Sequence, residues 1–329
     1  MNMLTRRSFI LSSAAFSAFG SVAAKGRDLK NPDLKLGVIS DVHIRRPEDV
    51  KVVQDVLAWY RTNRVDGVVV AGDVADYGLI WQMEAFCGAW EEAFPAGKIP
   101  ATGQKVELVY VTGNHEAEIW KKINRPDLYP NLDDLKARVF NLHLEREWPR
   151  LFGEPYRPAF VKTIKGYPLF CCNYLDHNGP QATATVKELY ASHAAEIPTD
   201  RPFFHIQHCH PTGTCGWGAA KRKDALTAFL EGYPNLVCLS GDGHEPLDDP
   251  KSIWRGGFTS VNTGTLQHVW GPPRPGETQS VKIRNFPQGL LVRVWPDYVH
   301  IERRNFRDNV RFDPPWEIAV ARTDSLSTK

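Results

Sequence analysis

Five short polar clusters carry residue types suited to metal chemistry. They are "SDVH" with Asp41 and His43, "GDVAD" with Asp73 and Asp76, "GNHE" with Asn114, His115 and Glu116, "QHCHP" with His208 and His210, and "GDGHE" with Asp242 and His244. Carboxylate oxygens, imidazole nitrogens and an amide oxygen are ligands for Zn, Mn or Fe, with no thiolate needed. Singly, each cluster has a plain structural explanation. Asp-x-His after a strand is a common turn with a capping carboxylate, and Gly-Asp ends many strands. Asn114 could cap a helix, one histidine of "QHCHP" would face the core, and "GDGH" could be a glycine-rich turn. Their common placement argues otherwise, because each follows an apolar run.

Those runs are the elements that must position the clusters. "KLGVIS", "GVVVAG", "VELVYVTG", "FFHIQHC" and "NLVCLSG" alternate with helical patterns over 48–63, 79–90, 131–146, 185–195 and 219–232. A hairpin-like pair, "AFVKTIKG" and "YPLFCCNY", interrupts the alternation, and "FTSVNTG", "GLLVRVW" and "YVHIERRNF" close the chain. Continuous apolar strands are covered on both faces, which predicts a layered α/β protein. In such sheets the carboxyl ends of the strands converge on one crevice, so clusters far apart in sequence can meet. One domain is expected over 33–312, followed by a tail over 313–329, with "WGPPRPGETQS" (270–280) as a long surface loop.

The clusters, taken in order, resemble the calcineurin-like metallophosphoesterases, whose pattern is D-x-H, G-D-x-x-D, G-N-H-[DE], a lone His, then G-H-x-H. Four motifs match, and the fifth departs at Asp242, where the family has histidine. The resemblance implies a four-layer α/β/β/α sandwich with two divalent metal ions (Mn, Zn or Fe) at the strand ends. It implies one metal on Asp41, His43, Asp73 and His244, and the other on the bridging Asp73, Asn114, His208 and Asp242. His115 would be the catalytic histidine that is not a ligand, Asp76 and Glu116 would orient histidine ligands, and His210 would support the ligands. For the lone-His motif, His205 and His210 remain alternatives to His208. The implied activity is hydrolysis of phosphomono- or phosphodiesters by attack of a metal-bridging hydroxide. Two other classes stay open: a non-catalytic metal- or ligand-binding protein whose second metal site Asp242 weakens, and a hydrolase of another kind, including one using a thiol of "QHCHPTGTC". Where purple acid phosphatases carry the tyrosine that binds ferric iron, this chain has Asp76, with Tyr77 one further on, so no tyrosinate–iron centre is expected. Substrate contacts would come from 117–160, 212–221 and 268–287, which include Trp120, Trp148, Trp217 and Trp270.

The N-terminus reads as an address. "MNMLTRRSFILSSAAFSAFGSVAAK" has an arginine pair, an apolar run and small residues up to Ala24, the grammar of a secretory signal, and "TRRSF" resembles a twin-arginine signal. Residues 1–24 are therefore expected to be removed by export, with the twin-arginine machinery as a partner and a periplasmic or otherwise exported product. Without Arg6 and Arg7, the 40 basic and 38 acidic side chains become 38 of each. The net charge is then zero, so a basic footprint for nucleic acid is missing and the expected partner is a small phosphate ester. No uncharged apolar stretch after the signal is long enough for a membrane span. Cys171, Cys172 and Cys238 read as buried strand residues, a Cys209–Cys215 disulfide stays open, and the arginines of "IERRNFRDNVRF" are explained by alternate exposure on an edge strand.

Overall fold

The computed structural model describes residues 29–117, 146–216, 219, 221–271, 280–284 and 286–320. Two six-stranded sheets face each other. The first has the order β14-β13-β12-β1-β2-β3 and the second β4-β5-β6-β7-β9-β8. In the first, β1 (Leu34–Ile39), β2 (Gly67–Ala71) and β3 (Glu107–Val111) run parallel, and β12 (Gln288–Trp295), β13 (Tyr298–Asn305) and β14 (Val310–Ala319) add antiparallel. In the second, β5 (Tyr167–Cys172), β6 (Phe203–Cys209), β7 (Leu236–Gly241) and β9 (Thr259–Asn262) are parallel. β4 (Ala159–Ile164) and β8 (Ile253–Arg255) are their antiparallel edges.

Side-chain alternation builds the layers. In β1, Leu36 and Val38 join the core between the sheets while Ile39 points outward. In β2, Val69 and Ala71 point inward, and Val68 and Val70 outward. The outer face packs on α1 (Val50–Thr62) through Val53, Val56, Leu57 and Tyr60, and on α2 (Ile80–Ala93) through Phe86 and Ala89. The other sheet does the same. Val237 and Leu239 of β7 face inward, while Leu236 and Cys238 pack outward beside α5 (Pro180–Ser192) and α6 (Ala225–Leu230). The architecture is helix, sheet, sheet, helix. Two short helices also appear in the chain, α3 (Asn114–Ala117) and α4 (Trp148–Phe152).

Several expectations need correction. The boundary at 312 falls inside β14, so residues 313–319 complete the first sheet rather than begin a tail. β13 is not an edge, because β14 covers it. Arg303 is 6% exposed, stacks on Trp316 and donates to the carbonyl oxygens of Leu247, Phe312 and Pro314. The Pro-rich segment is flanked by paired strands, β10 (His268–Gly271) and β11 (Val281–Arg284), and the helix expected over 219–232 is confined to α6. All six cysteines are free. Cys215 donates to the Ser260 carbonyl oxygen at 3.2 Å, while Cys209 lies beside His177. The signal segment, all but the last residue of the helix expected over 131–146, Trp120 and Trp217 lie outside the described residues, and Trp148 is core. No helix among the described residues is long and apolar enough to cross a membrane.

Candidate metal centre

The loops leaving β1, β2 and β7 hold most of the clusters, and backbone hydrogen bonds lace them together. Asp41 N–H donates to Gly72 O at 3.0 Å, His43 N–H to Asp73 O at 2.9 Å, and Ile44 N–H to Val74 O at 2.9 Å, so two loops continue the parallel ladder past the strand ends. The third loop joins them through Asp242 N–H, 3.1 Å from Asp41 Oδ2. Within these loops Asp41, His43, Asp73, Asp242 and His244 have φ of 49°, 46°, 56°, 71° and 53°. That left-handed region is costly for residues with a Cβ. Gly113 has a different role, because a Cβ there would collide with the Asp73 carboxylate.

The side chains converge in two adjoining groups. In the first, His244 Nε2 lies 3.1 Å from His43 Nε2 and 3.2 Å from Asp41 Oδ1, and His43 Nε2 lies 3.7 Å from Asp73 Oδ2. In the second, His208 Nε2 lies 3.2 Å from Asp73 Oδ2, 3.1 Å from Asn114 Oδ1 and 3.6 Å from Asp242 Oδ1. Asp73 belongs to both. Of the three histidines left open by sequence, His208 is the one at the centre. His205 is buried against Gln207 and Tyr190, with burial lowering its pKa to about 4, and His210 turns to Ser240 and Glu245.

The imidazole tautomers test whether cations fit. His43 Nδ1 faces Asp76 Oδ1 at 2.9 Å, His208 Nδ1 faces Ala71 O at 2.7 Å, and His244 Nδ1 faces His268 O at 3.1 Å. Each of these partners can only accept, so each Nδ1 carries the hydrogen and each Nε2 turns a lone pair inward. The His43 and His244 lone pairs thus meet at 3.1 Å beside Asp41 Oδ1, a buried carboxylate oxygen without a hydrogen-bond donor. Such an arrangement is repulsive until a proton or a cation enters it, and the donor set fits divalent metals.

Electrostatics point the same way. Burial alone would raise the Asp41 pKa, yet His244 and His43 hold it well below the usual carboxylate range. Burial opposes ionisation of Asp73 too, and His208 overcomes it, leaving that group at about 2. Burial lowers the His43 pKa, but the carboxylates of Asp41, Asp76 and Asp73 around it outweigh that and leave the group at about 9. Without metal, protons occupy the centre.

Supporting contacts complete the site. His115 donates Nδ1–H to Asp76 O at 2.8 Å, its Nε2 is 3.8 Å from Asp73 Oδ2, and its side chain is 21% exposed. Arg45 binds Asp76 through Nε at 2.7 Å and Nη2 at 3.1 Å. Glu116 was expected to orient a histidine. Instead its carboxylate accepts the N–H groups of Asp73, Ala75 and Gly113 at 3.1, 2.7 and 2.7 Å, fixing the turn that carries Asp73. Sequence reasoning missed Ser40, which donates to Asp41 Oδ2, and His268, whose ring stacks on His244 with centroids 4.2 Å apart. His268, Trp270, Lys282 and Arg284 share one face of the β10–β11 ribbon by register, and Lys282 lies over Trp270.

A layered α/β sandwich with a carboxylate, Asp73, shared between two adjoining groups of nitrogen and oxygen donors is an arrangement suited to a metal-dependent hydrolase. The family profile described as calcineurin-like phosphoesterase matches residues 34–246, and the chain belongs to that family. It is a metal-dependent phosphoric ester hydrolase of that class. A search of curated proteins found no match. Among solved structures, a dimetal phosphatase from Danio rerio is 12% identical with a TM-score of 0.53, covering 88% of this chain and 100% of that one. The purple acid phosphatase PPD1 from yellow lupin (Lupinus luteus) is 14% identical with a TM-score of 0.53, covering 91% of this chain and 58% of that one. GAP50, the anchor in the inner membrane complex of Plasmodium, is 8% identical with a TM-score of 0.51, covering 88% and 89%.

Proposed function

We propose that this chain hydrolyses small phosphate esters at a two-cation centre. Asp41, His43, Asp73 and His244 would hold one ion, and Asp73, Asn114, His208 and Asp242 the other. The observation that carries this reading is the approach of His43 Nε2 and His208 Nε2 to Asp73, a buried carboxylate shared by both groups, with His244 Nε2 set beside Asp41. When bound, the two cations supply Lewis acidity and a water of near-neutral pKa.

The chain's own residues supply the rest. His115 keeps its Nδ1–H on the Asp76 carbonyl, so a proton taken up by the ring would be carried on Nε2, the nitrogen turned toward the centre. There it can be given to the leaving oxygen. Arg45 neutralises Asp76 and so keeps that carboxylate from opposing an anionic substrate. Trp270 and Lys282 extend the face that begins at His268, which suits a leaving group with a planar part. Asp242 adds a third carboxylate to Asp41 and Asp73. A less positive centre favours singly charged diesters over dianionic monoesters and harder ions such as Mn. Residues 1–24 support export by the twin-arginine route to the periplasm. The test is a panel of mono- and diesters assayed after loading with Mn or Zn, with metal content measured on the same samples. Two ions bound with no turnover of any ester would favour the non-catalytic reading, and a single ion would show that Asp242 does not complete the second site.

A further inference from the structure

Beside the second donor group lies a cluster that the two-cation centre does not use. Cys209 Sγ is 3.2 Å from His177 Nδ1. The sulfur, a ring nitrogen of His177 and a carboxylate oxygen of Asp242 all lie within 4.8 Å of one another. β6 brings the sulfur there through a register irregularity between Ile206 and Cys209, after which Cys209 pairs with Gly241, next to Asp242. The loop bearing His177 is tied to the same strand. Asn178 Nδ2 donates to His210 O at 2.8 Å, and Gln207 Nε2 donates to Asn178 Oδ1 at 3.0 Å. A recess of about 20 Å³, lined in part by Tyr174, His177, Asn178, His208 and Cys209, adjoins the pair. That is room for about one water-sized occupant.

We propose that Cys209, His177 and Asp242 form a third cation site on the flank of the dinuclear centre, suited to a borderline ion such as zinc. Zinc bonds sulfur at about 2.3 Å and imidazole at about 2.0–2.1 Å, so tetrahedral donors stand roughly 3.6 Å apart. The observed separation needs only a modest opening of the pair. Thiolate, imidazole and carboxylate leave one position for water, and the exposed His177 gives the ion a path from solvent. The proposal rests on the two-cation reading in one respect, that Asp242 also serves the ion at His208. A histidine at 242 offers one lone pair to a cation, whereas a carboxylate has two oxygens and can serve two ions. The departure from the family pattern thereby acquires a use, as a carboxylate shared between the second and third sites.

Cadmium titration of the full chain, followed by thiolate-to-metal charge-transfer absorption, tests this directly. The expected result is three ions bound, with an absorption band that Cys209→Ser abolishes together with one equivalent of metal. His177→Ala, at an exposed position that leaves the core intact, should weaken binding of that equivalent by at least about tenfold while two ions remain. Asp73→Asn should empty the dinuclear centre and leave the band in place, so failure of the flank site and failure of the two-cation reading give different results. A band absent at saturating cadmium, an affinity for that equivalent unchanged in His177→Ala, or a band persisting in Cys209→Ser would overturn the proposal, the last by assigning the ion to another thiol. A Cys209–His177 hydrogen bond alone predicts two ions and no band.

Discussion

In the proposed centre His115 and Asp73 would divide the chemistry, and single substitutions should separate their parts. His115→Ala is expected to lower turnover by about 10²–10⁴-fold. Metal content should stay near that of the parent, because the ring's Nδ1 is committed to the Asp76 carbonyl. Asp73→Asn should cost more metal than any other single ligand change, since Asp73 faces both donor groups and an amide cannot bridge as an anion. Inductively coupled plasma analysis beside kcat distinguishes the two. The raised His43 pKa sets a pH dependence. In the metal-free protein the proton is held up to about pH 9, so its stabilising effect is full below the ordinary value of 6.5 and is lost as pH rises through 9. Metal uptake at pH 7–8 must expel that proton, so affinity should climb about tenfold per pH unit, per proton released, until about pH 9. Calorimetry in buffers of different ionisation enthalpy would count the protons; an affinity flat from pH 6.5 to 9 would exclude this linkage. At this scale the donor types and their order were legible in the sequence, and the structure brings those residues together. Ala71 O and His268 O were not, because a carbonyl oxygen leaves no signature in residue identity.

The elements place these groups through turns rather than through regular structure. Gly113 illustrates it. Gly113→Ala removes no ligand, but its Cβ would collide with the Asp73 carboxylate, so the variant should lose metal while keeping its far-ultraviolet circular dichroism. Full metal retention would mean that the Asp73 turn is less tightly held than the Glu116 contacts indicate. Periodicity located β1, β2, β3, β6 and β7 well, because strands covered on both faces read as unbroken apolar runs. It failed at β10 and β11, four residues each, which among the described residues form a two-stranded sheet of their own. It also failed at β14, whose Asp313-Pro314-Pro315 segment reads as a terminator, whereas edge position lets proline stay in a sheet.

At the scale of the whole molecule, the export proposed from residues 1–24 is open to a direct test. Replacing Arg6 and Arg7 together by lysine should leave precursor in the cytoplasm if export follows the twin-arginine route, as fractionation and immunoblotting would show; normal export of that variant would eliminate the route. The left-handed ligand residues carry a consequence for descent. Each costs the fold on the order of 1 kcal/mol that glycine would not, and five of them together approach the net stability of a typical domain, about 5–15 kcal/mol. For a lineage with no use for metal, change from aspartate to glycine at such a position would therefore be a drift toward greater stability. With chelator present, Asp242→Gly should melt above Asp242→Ala by roughly 1–3 °C, both lacking the carboxylate. Side chains at all five positions are thus a standing cost to the fold that only what they bind could offset.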